Sequence, residues 1–442
     1  MSSLPGLPDT TGLPDTTGLP STTSSPSTTS SPSTTGLPST TAARVRRIKP
    51  SPSTAAAQRV RTLKSQGLTI LDLTVGEPDF DTPDHVKAAA IRAIEAGETK
   101  YTPVNGTPEL RAAIAGKLRA RHGLECTDAR ITVGGGAKQV IFLALMATLD
   151  EGDEVIVPAP YWVSYPDMVR ANDGTPVIVD CPETDGFKLT PERLGAALTE
   201  RTRWVVLNTP GNPTGSAYTV GELRALAQVL LAHPRVRVLT DEIYDEIWYR
   251  EEDAPSLAAV EPRLADRVFL TNGVSKTYAM TGWRIGYGVG PADLVTAINT
   301  LQSQTSSCPS SVSQAAAAAA LTGPQDFVRE TVRVYRARRD ATVTFLNDVP
   351  RLSCTVPDGG FYLLVNCQDA IGRFTPGGER IRNDEDFARH LLDSRQVAVI
   401  HGAAYGAPGY FRISFATSTD ILTDACARIA AACAELSSVT YV

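Results

Sequence analysis

Only eight of the 42 basic side chains in this chain are lysines, and the other 34 are arginines. One of the eight, Lys276, follows the apolar run RVFLTNG within FLTNGVSKTYAMTGWRIGYG. A lysine just past a strand can form a Schiff base with a carbonyl compound or with pyridoxal phosphate. Position alone also fits an ordinary surface lysine, so the neighbours must decide. Asp241 and Tyr244 close a second apolar run, RVRVLTDEIY, and a carboxylate there can keep a pyridine nitrogen protonated. Asn212 sits in NTPGNPTG after a third run, where its amide can hydrogen-bond a phenolic oxygen. By itself NPTG is often only a turn. VGGGAKQ opens a helix after RITV, and backbone N–H groups at such an end form an anion cradle. Glycines also merely end strands, so that signal is weak alone. Arg284, eight residues beyond Lys276, can add a charge-assisted contact to the same anion.

Positioning these groups needs a framework, and the pattern from about residue 130 supplies one. Near-continuous apolar runs (RITVGG, DEVIVPAP, PVIVDC, RWVVLNTP, RVRVLTDEIY, RVFLTNG, RIGYGVG) alternate with helical stretches such as AKQVIFLALMATL and TVGELRALAQVLLAH. Buried strands of a mostly parallel sheet read this way, and the alternation predicts an α/β fold with helices on both faces. In such folds ligands bind at the carboxyl ends of strands. Upstream, Ala55 to Gln66 reads as a helix stopped by Gly67, LTILDLTVG as a strand, and DHVKAAAIRAIEAG as a helix opened by Pro83. A second unit begins near Asp326 with a long Arg-rich helix. It continues through strands around GGFYLLVN and YFRISFA and ends in the helix ILTDACARIAAACAEL.

Together these segments resemble the class I aminotransferases, the fold type I pyridoxal-phosphate enzymes, and within them the bacterial aspartate aminotransferase branch. The motifs that carry the resemblance are VGEPDFDTP (75–83), TKYTPVNG (99–106), GGGAKQ (134–139), PYWVSYP (160–166), NTPGNPTG (208–215), DEIYDEI (241–247), SKTYAMTGWRIGY (275–287) and FRISFATS (411–418). They stand in family order and span the chain from about Ile48 onwards. The implied fold is a mostly parallel central sheet with helices on both faces plus a smaller α+β domain. Its expected divisions are a tail at 1–47, a segment at 48–84 packing with the small domain, a large cofactor domain at 85–325, and the small domain at 326–442.

Carried over residue by residue, the resemblance implies that Lys276 is the Schiff-base lysine and the base that moves the Cα proton. Asp241 pairs with the pyridine nitrogen, and Tyr244 and Asn212 contact the 3′-oxygen. Trp162 stacks on the ring; Gly136, Ala137 and Arg284 hold the phosphate, with Lys138 in the same loop. Tyr101 reaches in from a second subunit, which implies a homodimer with shared sites. Arg412 binds the substrate α-carboxylate, assisted by backbone at Gly76, while Trp162 and Asn212 also border the substrate. Lys138 faces a distal carboxylate, with Ser53 and Thr54 near the same group. Many relatives have a serine three residues before the lysine; this chain has Gly273, so one phosphate hydrogen bond is missing or made otherwise.

The implied activity is ping-pong transfer of an amino group from aspartate or glutamate to a 2-oxo acid. Alternatives on the same scaffold are a prephenate, aromatic or specialised-pathway aminotransferase, and a lyase such as an aminocyclopropane-carboxylate synthase. A cofactor-sensing regulator needs a DNA-binding domain in front, for which the N-terminal stretch has too little charge or helical pattern. That stretch, Gly6 to Thr41, is six hexapeptides rich in Pro, Ser and Thr. With at most one Leu per unit it cannot offset its ordering entropy, and it reads as a disordered tail. A net charge of −6 argues against a broad nucleic-acid face. No apolar run approaches the ~20 residues that span a bilayer. Five histidines show no paired spacing for a metal. Seven cysteines lack a disulfide pattern, with Cys426 and Cys433 expected in the core, and a cytosolic location is the default.

Overall fold

The computed structural model describes residues 41–50 and 52–438. The chain divides into two units, Met1–Ala42 and Ala43–Val442, and the described sheets and the candidate site belong to the second. Residues 1–40, which carry most of the hexapeptide repeat expected to be a disordered tail, lie outside the described residues, as does the side chain of Ser53.

Among the described residues thirteen strands make up the sheets: β1 (Leu71–Asp72), β2 (Ile131–Gly134), β3 (Glu154–Ala159), β4 (Thr175–Asp180), β5 (Thr202–Asn208), β6 (Arg237–Asp241), β7 (Val268–Gly273), β8 (Gly286–Val289), β9 (Ser353–Cys354), β10 (Tyr362–Asn366), β11 (Val397–Ala398), β12 (Ile400–His401) and β13 (Tyr410–Ser414). Seven of them form the main sheet in the order β2-β8-β7-β6-β5-β3-β4. Only β8 runs against the rest, so the mostly parallel α/β sheet expected from the alternating pattern is what forms. Alternate side chains feed two cores. Trp204, Val206, Leu239 and Phe269 pack with Ile141, Leu145 and Ile298 on one face. Val205, Leu207, Val238 and Val268 pack with Leu223, Leu226 and Leu230 on the other. That period of two explains why the strands read as unbroken apolar runs: both faces are buried.

A second, antiparallel sheet has the order β12-β13-β10-β9. The helices Asp326–Asn347 and Thr419–Ala434 cover it, burying Phe361, Leu363, Phe411 and Ile413 with Leu346, Ile429, Cys426 and Cys433. β1 pairs in parallel with β11, Leu71 opposite Val397, which ties the upstream segment to the late part of the chain.

Two elements are shorter than the sequence predicts. LTILDLTVG contributes only Leu71–Asp72 as strand, because Asp72 Oδ1 accepts from both the backbone N–H and the hydroxyl of Thr74 and turns the chain away. Likewise β6 stops at Asp241 instead of continuing to Tyr244. Its carboxylate accepts from the backbone N–H of Ile243 and starts a turn. No helix among the described residues is long and apolar enough to cross a membrane.

Candidate active site

The main sheet brings the chemistry to one edge. In register, Asn208 ends β5 beside Asp241 at the end of β6, and Asp241 lies opposite Thr271 of β7. The loops leaving those three strands carry Asn212, Tyr244 and Lys276. Because β8 is antiparallel, its beginning lies at this same edge: Gly286 pairs with both Gly273 and Gly134. Arg284, two residues earlier, therefore lands beside the start of the helix Ala137–Met146. The contact is close. A Cβ on Gly286 would lie 2.0 Å from the Ala137 nitrogen, and one on Gly136 2.3 Å from Nη2 of Arg284.

These groups border one cavity of about 340 Å³, lined by Gly76, Ala137, Lys138, Trp162, Asn212, Asp241, Tyr244, Lys276, Arg284 and Arg412 among others. Gly136 caps the helix with φ +100 and packs on Arg284. Tyr101 is absent from the cavity of its own chain and is 89% exposed elsewhere. Thr54 is exposed and does not line the cavity either.

Burial sets the electrostatics. Asp241 is 5% exposed, and loss of water pushes its carboxyl up to about 6. The Tyr165 hydroxyl, donating to Oδ2 at 2.6 Å, works against that rise. Burial also brings the Lys276 amine down to about 8. Its Nζ donates to the carbonyl of Gly76. Lys138, lowered by burial and then by Arg284, holds Nζ 4.7 Å from the Trp162 ring centroid. Arg412 donates to the carbonyl of Thr74 at 2.6 Å and to Oδ1 of Asn212 at 3.2 Å. Its Nε is buried without a hydrogen-bond partner among the described residues, a donor that a bound carboxylate would satisfy.

Among the described residues, none of the four cations lining this cavity (Lys138, Lys276, Arg284 and Arg412) forms an ion pair, and one carboxylate, Asp241, lines it with them. Such a site takes a multiply anionic ligand. The sequence profile described as Aminotransferase class I and II matches residues 69–429. The chain belongs to that family. An aspartate/prephenate aminotransferase of Cereibacter sphaeroides is 50% identical over 391 residues, 88% of this chain and 98% of that one. An aspartate aminotransferase of Rhizobium meliloti is 50% identical, covering 90% and 97%. The crystal structure of the aspartate aminotransferase from Rhizobium meliloti superposes with a TM-score of 0.88 at 49% identity, over 90% of this chain and 99% of that one. Aspartate aminotransferase from Thermus thermophilus with maleate follows at 0.82 and 39%, over 89% and 99%. The chain is thus an aminotransferase of fold type I.

Residues not singled out from the sequence also border the cavity of this aminotransferase. Tyr165, Asn208, Ser275, Thr281 and Tyr362 all touch the cavity or its charged groups. Tyr165, Asn208, Ser275 and Thr281 lie within PYWVSYP, NTPGNPTG and SKTYAMTGWRIGY, so a signal was present; Tyr362 had only its place in an apolar strand. Gly273 has its own reason. A Cβ there would lie 3.0 Å from the Ile285 carbonyl and 3.1 Å from Gly286 Cα, so a serine would not fit without a shift. The hydroxyl-bearing Ser275 and Thr281 border the cavity instead.

Proposed function

We propose that this aminotransferase uses pyridoxal phosphate to move the amino group of aspartate or glutamate to a 2-oxo acid in a ping-pong cycle. The observation that carries the reading is the set of four cations around the cavity, none of which forms an ion pair among the described residues. A phosphate with two carboxylates accounts for three of them, and the carbonyl of the cofactor for the amine of Lys276.

The residues fit the cofactor. Asp241 is a buried carboxylate that forms no ion pair among the described residues, and a protonated ring nitrogen would supply one. Arg284 and the backbone at Gly136 and Ala137 form the phosphate cradle, and Trp162 offers a ring face. Tyr244 and the amide of Asn212 would hold the phenolic oxygen; Arg412 holds the Asn212 carbonyl, leaving its N–H end to donate. When bound, pyridoxal phosphate supplies the electron-poor ring that takes up the electrons of the broken bond.

The chain's own residues do the rest. Arg412 receives the α-carboxylate, with backbone at Gly76 beside it, and Lys138 receives the distal one. With its amine near 8, Lys276 has a useful neutral fraction at physiological pH and carries the proton to and from the substrate Cα. Ser53 and Thr54 remain assigned to the distal group. We further infer a homodimer in which Tyr101 of the partner subunit completes the phosphate site, since this residue is exposed in its own chain. Residues 85–325 are read as the cofactor domain, and 48–84 with 326–442 as the smaller one. The cytoplasm is the compartment, as all seven cysteines are unpaired.

A second acceptor is favoured by the Cereibacter relative, whose name pairs aspartate with prephenate. Prephenate carries two carboxylates, as Arg412 and Lys138 require. The test is to mix the cofactor-loaded protein with single amino acids while following the visible absorbance. Aspartate and glutamate should each bleach the band without any second substrate. Bleaching by monocarboxylic amino acids only would overturn the substrate assignment, and a band that returns with release of a cleaved product would indicate a lyase.

A further inference from the structure

Tyr362 stands between the two halves of the cavity. It is 1% exposed on β10, with its ring against Phe361 (centroids 4.8 Å apart) and edge-on to Tyr244 (5.8 Å). In the register of β10 and β13, Leu364 faces Arg412, so Tyr362 is the diagonal neighbour of Arg412 on the same face. The guanidinium carbon accordingly sits 4.4 Å from the Tyr362 ring centroid. The hydroxyl lies 3.2 Å from that of Tyr244, and neither phenol has another hydrogen-bond partner among the described residues. Gly76 leaves the room: a Cβ there would come within 2.8 Å of the Tyr362 oxygen.

One proton lies between the two oxygens, so one phenol donates and the other keeps its own hydrogen for the cavity. The positive charge of Arg412 against the Tyr362 ring makes that phenol the readier donor. Burial raises both phenols, with Arg412 the main offset at Tyr362 but only a minor one at Tyr244. With Tyr362 as the donor, Tyr244 would accept and present its own hydrogen to the ligand, more polarised for being second in the chain.

We propose that Tyr362 is a positioning residue that serves both ends of the site. Its ring carries the guanidinium that receives the substrate carboxylate, and its hydroxyl aims that of Tyr244 at the phenolic oxygen of the cofactor. The inference rests on the pyridoxal-phosphate reading above. Tyr362→Phe keeps the ring and removes the hydroxyl, whereas Tyr362→Leu removes both. In the cofactor-loaded full chain, the pH midpoint of the visible band should rise by about half a unit in the Phe variant, because weaker donation stabilises the deprotonated form less. The Leu variant should show the same rise and also a KM for aspartate about tenfold above that of the Phe variant. A wild-type band together with an unmoved Phe-variant midpoint overturns this proposal alone. Equal KM values in the two variants overturn the role of the ring. A wild-type chain that develops no band overturns the cofactor reading and this one with it.

Discussion

The phenol of Tyr165 donates to Oδ2 of Asp241 at 2.6 Å, so a neutral side chain rather than a cation holds the buried carboxylate of this site. Asp241 therefore keeps most of its charge for a ligand while staying in one orientation. Tyr165→Phe should push the carboxyl further above 6 and leave less of it ionised near neutrality. A hydrogen bond to a charged group is worth ~1.5–3 kcal/mol, so cofactor affinity should fall by about 10- to 100-fold. The fall should be larger at pH 6 than at pH 8, as read by cofactor titration. An equal loss at both values would point to packing instead.

Lys276 and Asp241 make the ligand-free protein respond to pH in opposite directions. A lysine lowered to about 8 binds fewer protons folded than unfolded between 8 and 10.5, so its contribution to stability rises with pH across that window. A carboxyl raised to about 6 binds more protons folded between 3.8 and 6, so its contribution falls as pH rises there. At pH 7 the charged Lys276 costs about 3 kcal/mol. Lys276→Met should recover that amount in urea unfolding of the ligand-free protein and flatten the slope above pH 8. It should also abolish the visible band and reduce turnover by at least ~1000-fold.

Lys138 is half-buried over Trp162, and it pairs with no carboxylate among the described residues. Lys138→Met should raise the KM for aspartate by about 10- to 100-fold, the value of one charge-assisted hydrogen bond. The KM for alanine should change little. Steady-state kinetics on the two substrates decides, and parallel losses would remove Lys138 from side-chain recognition.

Gly136 holds φ +100, and a Cβ there would lie 2.3 Å from Nη2 of Arg284. Gly136→Ala should strain the turn by about 1–3 kcal/mol and displace the guanidinium. Cofactor affinity should drop about tenfold or more while far-UV circular dichroism stays unchanged.

Beneath the turn that carries Tyr244, Lys117 Nζ lies 3.2 Å from Asp245 and 3.0 Å from Glu246, all three nearly or fully buried. Lys117→Met would leave two buried carboxylates without their cation. Stability should fall by ~3–5 kcal/mol in denaturant titration. A smaller change would mean that the carboxylates become protonated at little cost.

Residue type and chain position pointed to Lys276, Asp241, Asn212 and Arg284, because each follows or precedes an apolar run, and the fold brings all four to one cavity. The helix start at Gly136 was legible for the same reason, since a strand, a glycine turn and a helix form one local unit. Tyr362 was not, because its partners lie far off in sequence: Tyr244 is 118 positions away and Arg412 is reached only through the β10–β13 register. The short β1 and the early stop of β6 were missed because side-chain hydrogen bonds from Asp72 and Asp241 end them, and periodicity does not register such bonds.

By itself the sequence determined the alternating architecture, the family motifs and the scarce lysine at the strand end, since local periodicity and residue chemistry survive in a linear string. Tertiary structure decided what those groups become. Burial moved Lys276 and Asp241 toward each other on the pH scale, the reversed β8 delivered Arg284 to the helix start, and an antiparallel register set Tyr362 under Arg412. Dehydration and long-range register depend on what the rest of the chain packs around a residue.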